Sequence, residues 1–541
     1  MIGAPSIETS VSKPIKNYLN VSYSILSWVF PTDHKRIAWL YLVTISLFAA
    51  IGGATAMLIR LELLTPEADL MMVDIFNRVF TMHGTTMVYL FILPAMLGVL
   101  GSFLLPLVIG ARNMAFPRLN LLTFYIFAGG AMLTILLAAY GGIDTGWTFY
   151  PPYSTTFSVT PVPAAVILIL IAMFSMILMS INILFTIQRR RVKGLTWMRM
   201  PILAWSYYVT SVVILVGAPF GFVAGLLLLL EWGGSVGIID PTYGGNPELY
   251  EQLFWLFAQS AVYVMILPAI GIVSEIITAF TKKRIFGYKG IVYSIIALAV
   301  LLLLSWGSHL FPSGQSVFVT ILFSFFSFLM VAPLVVILLS WAASFKDSLV
   351  TWSAPLFFAL VVIIAMLRSV MSGLVLSSPV TGSYLSGSQF ESSHFHFLMV
   401  GVVTTAFLSA MHFWWPKITG RMYSDKWAKL AALVILVGIF MAFAPSGLLG
   451  LAGMRARINA YPEAFMFLNQ VATLGSLTLG LGFTLPLLYF TGSLFAGEPA
   501  GSNPWGVAGL EWQSDSPPPE RNFTGKSITV EEAYIYSSSS S

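Results

Sequence analysis

The sequence predicts an all-α integral membrane protein of about twelve transmembrane helices, and three observations carry that prediction. Of its 541 residues, 57% are hydrophobic and 9% charged, with a mean hydropathy of +0.87. Folded in water around one core, such a chain would leave much apolar surface exposed. Second, apolar windows of spanning length, roughly 20 residues, recur along almost the whole chain. Third, the basic residues gather in short clusters between those windows. That is how topology signals are distributed, so the net charge of +5 does not point to nucleic acid.

The windows are 38–62, 78–110, 120–141, 162–187, 202–231, 249–280, 288–310, 316–345, 351–377, 393–415, 427–450 and 464–492. The segment before Trp39 is polar and shows no cleavable leader, so insertion is expected through the helices themselves. After the fourth window come Arg189, Arg190, Arg191, Lys193 and Arg199; after the sixth, Lys282, Lys283, Arg284 and Lys289; after the tenth, Lys417, Arg421, Lys426 and Lys429. The positive-inside rule makes those loops, and both termini, cytoplasmic. The opposite loops 142–161 and 232–248 are rich in Gly, Pro and aromatics and are expected to form a lid over the outer end. Residues 1–500 thus read as one membrane domain. The polar, Pro-rich stretch 501–541, ending in serines, reads as a solvated cytoplasmic tail.

The chain has no cysteine, which excludes disulfides, thiolate metal sites and cysteine nucleophiles. Its six histidines are at 34, 83, 309, 394, 396 and 412. His83, His309, His394 and His396 fall inside apolar spans, where an imidazole is costly without a partner. His34 reads as a loop residue and His412 as a helix-end residue. On a helix, His394 and His396 point roughly 200° apart. A zinc pair on one face wants i and i+4 spacing, whereas opposed rings suit two planar macrocycles flanking the helix, each taking iron through an axial imidazole. His83 is then the natural second ligand for one of them. The alternative, that these histidines only hydrogen-bond helices together, stays open at this level.

Longer stretches carry a resemblance. Thr32-Asp33-His34-Lys35, Ile59-Arg60-Leu61-Glu62, His83, Ile109-Gly110-Ala111 and Met114 through Asn120 come in order along the first part of the chain. Gly146 through Pro152, Leu253-Phe254-Trp255, Phe286-Gly287-Tyr288, His394-Phe395-His396-Phe397 and Asn503-Pro504-Trp505-Gly506 follow. Together they resemble subunit I of the haem-copper oxidases over nearly the whole chain.

That resemblance implies two haems, of a or b type. His83 and His396 would be the axial ligands of a low-spin haem and His394 the proximal ligand of a high-spin haem. Arg60 would lie beside a substituent of the low-spin ring and Trp147 near the high-spin site. The family's Arg-Arg pair for the propionates reads Ala456-Arg457 here, so Arg457 alone is expected there. The resemblance also implies subunit II-like and subunit III-like partners in a respiratory complex, and an electron donor that is cytochrome c, another redox protein or quinol. The membrane would be a prokaryotic plasma membrane or an organellar inner membrane.

The departures are specific. Where the family has His-Pro-Glu-Val-Tyr, with a copper-binding histidine bonded to the tyrosine, this chain has Gln259-Ser260-Ala261-Val262-Tyr263. The family's adjacent copper-binding histidines read Ser308-His309. One of three copper ligands is left, and copper wants imidazole nitrogens, so no copper is expected. Asn113, Ala261 and Ile337 stand at the proton-input positions, and none can take up or pass a proton. Asn120 matches a channel asparagine that carries none itself. Ser386-Gly387 replaces the His-Asp pair that helps bind magnesium.

Two functions follow. One is a terminal oxidase reducing oxygen to water and moving protons; the missing ligands stand against this enzyme assignment. The other is a haem subunit of the same fold that carries electrons from the low-spin to the high-spin haem without copper or proton pumping. Nitric oxide reductases also need three histidines at the non-haem metal, and a haem-free solute transporter leaves His83, His394 and His396 unexplained.

Overall fold

The computed structural model describes residues 16–234 and 236–523 with 528, 530 and 534. Among these, twelve helices are long and apolar enough to cross a membrane. They are α1 (His34–Glu62), α2 (Val73–Val108), α3 (Pro117–Ala139), α4 (Val162–Arg190), α5 (Ile202–Gly234), α6 (Pro247–Thr281), α7 (Tyr288–Ser313), α8 (Val317–Ser344), α9 (Ala354–Ser377), α10 (Gln389–Thr419), α11 (Asp425–Leu451) and α12 (Glu463–Ala496). All twelve expected windows fall on these helices. Most differences lie at the ends, where cap residues such as Asp33, Asn246 and Ser388 accept a backbone N–H and set the start.

The helices divide by burial. In α2, α6 and α10 the most apolar stretch is 94%, 83% and 83% buried, against 17% in α1 and 22% in α8. The three inner helices are the ones that carry His83, Gln259, and His394 with His396. Two of them depart from α geometry just past their histidines: Thr86–Ile92 in α2 and Phe397–Thr404 in α10 are π-helical. Such wide turns shift the register of a helix face and concentrate at functional sites. In α7, Trp306–Ser313 tightens to a 3-10 helix that carries Ser308 and His309.

Close helix contact depends on Gly450 in α11. A Cβ there would lie 1.9 Å from the backbone nitrogen of Phe390, so only glycine lets α11 approach the start of α10, one turn before His394.

The tail corrects the expectation of a solvated extension. Glu511, Trp512, Ser514, Asn522 and Phe523 are buried. Lys35 Nζ donates to Asn522 Oδ1 (2.8 Å) and to the Glu520 carbonyl (3.1 Å), and Lys417 Nζ donates to the carbonyls of Ser502 and Ser514 (3.0 and 2.7 Å). Two buried helix-end ammonium groups need acceptors, and the chain after 500 supplies them while Trp512 and Phe523 seal the contact. His34 is likewise no loop residue. It opens α1, fully buried, with Nδ1 donating to the Ser102 carbonyl at 2.7 Å and Nε2 against the Asn522 side chain. Most of the tail past 523 lies outside the described residues.

At the opposite end the two Gly- and Pro-rich loops meet. Asp144 accepts from Tyr153, Ser158 and Thr160 (2.9, 2.6 and 2.8 Å) within the first loop. Asp240 of the second accepts from Thr155 and Thr156 of the first and from Thr242.

Candidate haem site

Five of the six histidines have an Nδ1 partner, and what differs is Nε2. His83 Nδ1 donates to the Gly52 carbonyl at 2.9 Å, and His396 Nδ1 to the Ser392 carbonyl at 2.7 Å. His394 Nδ1 pairs with Ser372 Oγ at 2.8 Å. In all three rings Nε2 is the nitrogen left over. His34 and His412 have both nitrogens engaged, His412 through the Leu408 carbonyl and the Tyr489 hydroxyl. His412 lies inside α10, fully buried, rather than at its end.

The structure brings His83 and His396 together from α2 and α10, their rings parallel within 3° and their centres 6.3 Å apart. A metal–imidazole bond is roughly 2 Å. Two such bonds in line, with each ring centre about 1 Å beyond its nitrogen, separate the centres by roughly 6 Å. An Nδ1–H tied to a carbonyl is also the usual support of a metal-binding imidazole. Phe443 stacks on His396 with centres 4.9 Å apart and holds the ring plane.

Around this pair, Arg60 donates through Nη2 to the Asn469 carbonyl (2.8 Å) and to Thr473 Oγ1 (3.1 Å). Its Nε is buried with no partner, a donor that an acceptor on a bound group would satisfy. Trp147 stacks on Phe395 (centres 6.1 Å, 23°), the residue between the two α10 histidines, and also packs against Gly84. Arg457 is exposed, with its guanidinium over the Phe80 ring at 5.7 Å and near Gly146. It adopts a left-handed φ of +63°.

This arrangement can be set against known proteins. The model for cytochrome c and quinol oxidase polypeptide I matches residues 36–478. This chain belongs to that family. It is 34% identical over 510 residues to cytochrome c oxidase subunit 1 of Thermostichus vulcanus, covering 94% of this chain and 92% of the relative. Against the subunit of Corynebacterium efficiens it is 36% identical over 502 residues, covering 91% and 86%. A solved heme-copper terminal oxidase dimer shares the fold, with a TM-score of 0.76 at 17% identity, covering 86% of this chain and 84% of that one.

As a member of the oxidase polypeptide I family, the chain has a second region to account for. On α6 and α7, His309 Nε2 donates to Gln259 Oε1 at 2.9 Å, and Gln259 Nε2 donates to Ser305 Oγ at 3.2 Å. Trp255 stacks flat on His309, centres 3.9 Å apart at 9°. Ser308 sits beside His309 on the same 3-10 turn, and Tyr263 is one turn from Gln259 with its hydroxyl near Met330 Sδ (3.9 Å). Among the described residues, no three His, Cys, Asp or Glu side chains converge.

Two of the three positions singled out for proton input, Ala261 and Ile337, are buried, and Asn113 is half-buried near the surface. Ala261 lines a small apolar cavity with Tyr89, Ala218, Phe257 and Val264. Ile337 is fully buried. Asn113 Nδ2 donates to the Thr32 carbonyl at 3.0 Å, and Asn120 accepts from Ser102 Oγ at 3.1 Å. At Ser386-Gly387 the Arg455 Nη1 donates to the Ser386 carbonyl at 2.8 Å, so a guanidinium stands there.

Ser372, Phe443 and Gly450 were not found by sequence reasoning. None carries a signal of its own, because each matters only through the helix it faces.

Proposed function

We propose that the chain is the haem-bearing subunit I of a respiratory oxidase-type membrane complex, passing electrons from a low-spin haem to a high-spin haem without a copper centre and without proton pumping. His83 and His396 hold the first haem and His394 the second, with Arg60, Trp147 and Arg457 around them. Each haem, when bound, would supply one-electron carriage; the protein would supply the imidazole nitrogens that hold it, their orientation and the surrounding charge.

The observation that carries the copper-free reading is the Gln259–His309 bond. An amide oxygen only accepts, so His309 Nε2 bears the proton there and offers that site no lone pair. Gln259 and Ser308 are weak donors in place of two imidazoles. The apolar settings of Ala261 and Ile337 support the absence of proton pumping. Membership of the family supports subunit II-like and III-like partners, and cytochrome c, another redox protein or quinol as donor. A prokaryotic plasma membrane or organellar inner membrane is part of the same proposal, with the termini on its Lys- and Arg-rich side.

The second reading is a working terminal oxidase with a rebuilt metal site, favoured by Tyr263 and by the relatives, which are named cytochrome c oxidases. Counting iron and copper per chain in the purified complex, with a carbon monoxide difference spectrum, separates the two. Two irons, no copper and one carbon-monoxide-binding haem are expected; one copper per two irons would establish the second reading.

A further inference from the structure

Helix α9 contains a single charged residue, Arg368, in the interior of its span. A charge at that depth is costly and marks a functional position by default. Among the described residues its guanidinium makes no hydrogen bond and no ion pair. It lies over the Phe397 ring at 5.1 Å. It also lies beside Gly447 of α11, where an added Cβ would be 3.5 Å from Nη2 and 3.1 Å from Ser393 Oγ. No Asp or Glu occurs from Ser392 to Ser424 or from Lys426 to Pro462, so the facing parts of α10 and α11 offer no counter-charge. The location is fixed by helix spacing. Ala365, Arg368 and Ser372 share one face; Ala365 meets Gly401, and Ser372 holds His394. Arg368 is one turn, roughly 6 Å, from the residue that orients the His394 ring.

We infer that Arg368 is a fixed positive charge that raises the reduction potential of the iron held by His394. This rests on the haem reading above. Reduction adds one electron and lowers the charge of the iron site by one. A guanidinium stays protonated in both states, and its field therefore favours the reduced state, more strongly in an apolar interior than in water. The effect is selective. Arg368 lies one turn from Ser372, which holds His394, whereas the guanidinium beside the His83–His396 pair is that of Arg60. On the copper-free reading, Arg368 is a fixed positive charge that takes over part of what a copper cation beside that iron would contribute to its potential.

The test is a spectroelectrochemical titration of both haems in the whole complex, comparing the parent with Arg368→Met, Arg368→Gln and Arg368→Lys. Both uncharged variants should lower the high-spin midpoint by about 59 mV, equivalent to a tenfold change in the reduced-to-oxidised ratio of a one-electron couple. The low-spin midpoint should move less, and Arg368→Lys should stay near the parent. Unchanged high-spin midpoints in both uncharged variants, with both haems bound, would overturn the inference, as would a lysine variant displaced as far as the methionine one. A parent complex lacking a haem at His394 would instead overturn the site reading on which the inference rests.

Discussion

The pair His83 and His396 and the pair Gln259 and His309 lie in the same bundle and are built on opposite plans. In the first, each ring anchors Nδ1 on a carbonyl, and Nε2 has no hydrogen-bond partner among the described residues. In the second, Nε2 is spent on a neighbouring amide, and the amide in turn on a serine. One network leaves its ring Nε2 atoms outside any hydrogen bond among the described residues, and the other engages its Nε2. A helix bundle can therefore hold a ligand set in one half while the other half of the same core closes on itself, because each hydrogen-bond network only has to satisfy its own buried groups.

The largest effect expected is on the open site. His83→Ala or His396→Ala should abolish the six-coordinate low-spin signal in a reduced-minus-oxidised spectrum, while His309→Ala leaves it in place. A low-spin signal that survives both α2 and α10 substitutions would collapse the contrast. Next comes an attempt to reopen the closed site. Gln259→His with Ser308→His should bring copper from near zero towards one per chain, measured by metal analysis, since three imidazoles would then converge on α6 and α7. Continued absence of copper in a folded, haem-loaded double variant would show that the pocket has lost its shape as well as its ligands.

The smallest effect concerns the loops that place Trp147. Burial pushes the Asp144 carboxyl up, but hydrogen bonds from Ser158, Thr160 and Tyr153 outweigh it and hold the group below its ordinary value; Asp240 is held low in the same way by Thr155, Thr156 and Thr242. A carboxyl depressed by folding stabilises at pH above its unfolded value of about 4 and loses that contribution as pH falls through the lower folded value. Amide exchange in residues 142–161 should thus be flat from pH 7 to 5, once corrected for intrinsic rates, and quicken only below about pH 4. Loosening already at pH 6 would mean that these carboxylates do not hold the loops.

Much of this was legible in the sequence. Twelve apolar windows gave the helices, because lipid requires every spanning backbone to satisfy itself, and His394-Phe395-His396 gave two directions on one helix. The π-helical turns after His83 and His396 left no mark, since they are set by how neighbouring helices pack. The tail was misread because its Pro and Ser content outweighed Trp512 and Phe523, and because nothing local shows that Lys35 and Lys417 are buried. Arg368 was visible as a lone charge in an apolar window, but its meaning depended on Ser372 and on the contact with α10.

The contact between α1 and the tail also sets an order of events during synthesis. Lys35 lies at the start of the first span, and Asn522, which accepts from it, lies 487 positions later. Until residues 502–522 have been made, that ammonium group has Asp33 and water for company, and the base of the bundle is open. The stretch from Ser502 to Asn522 thus acts as a seal that can close only after all twelve spans have been made.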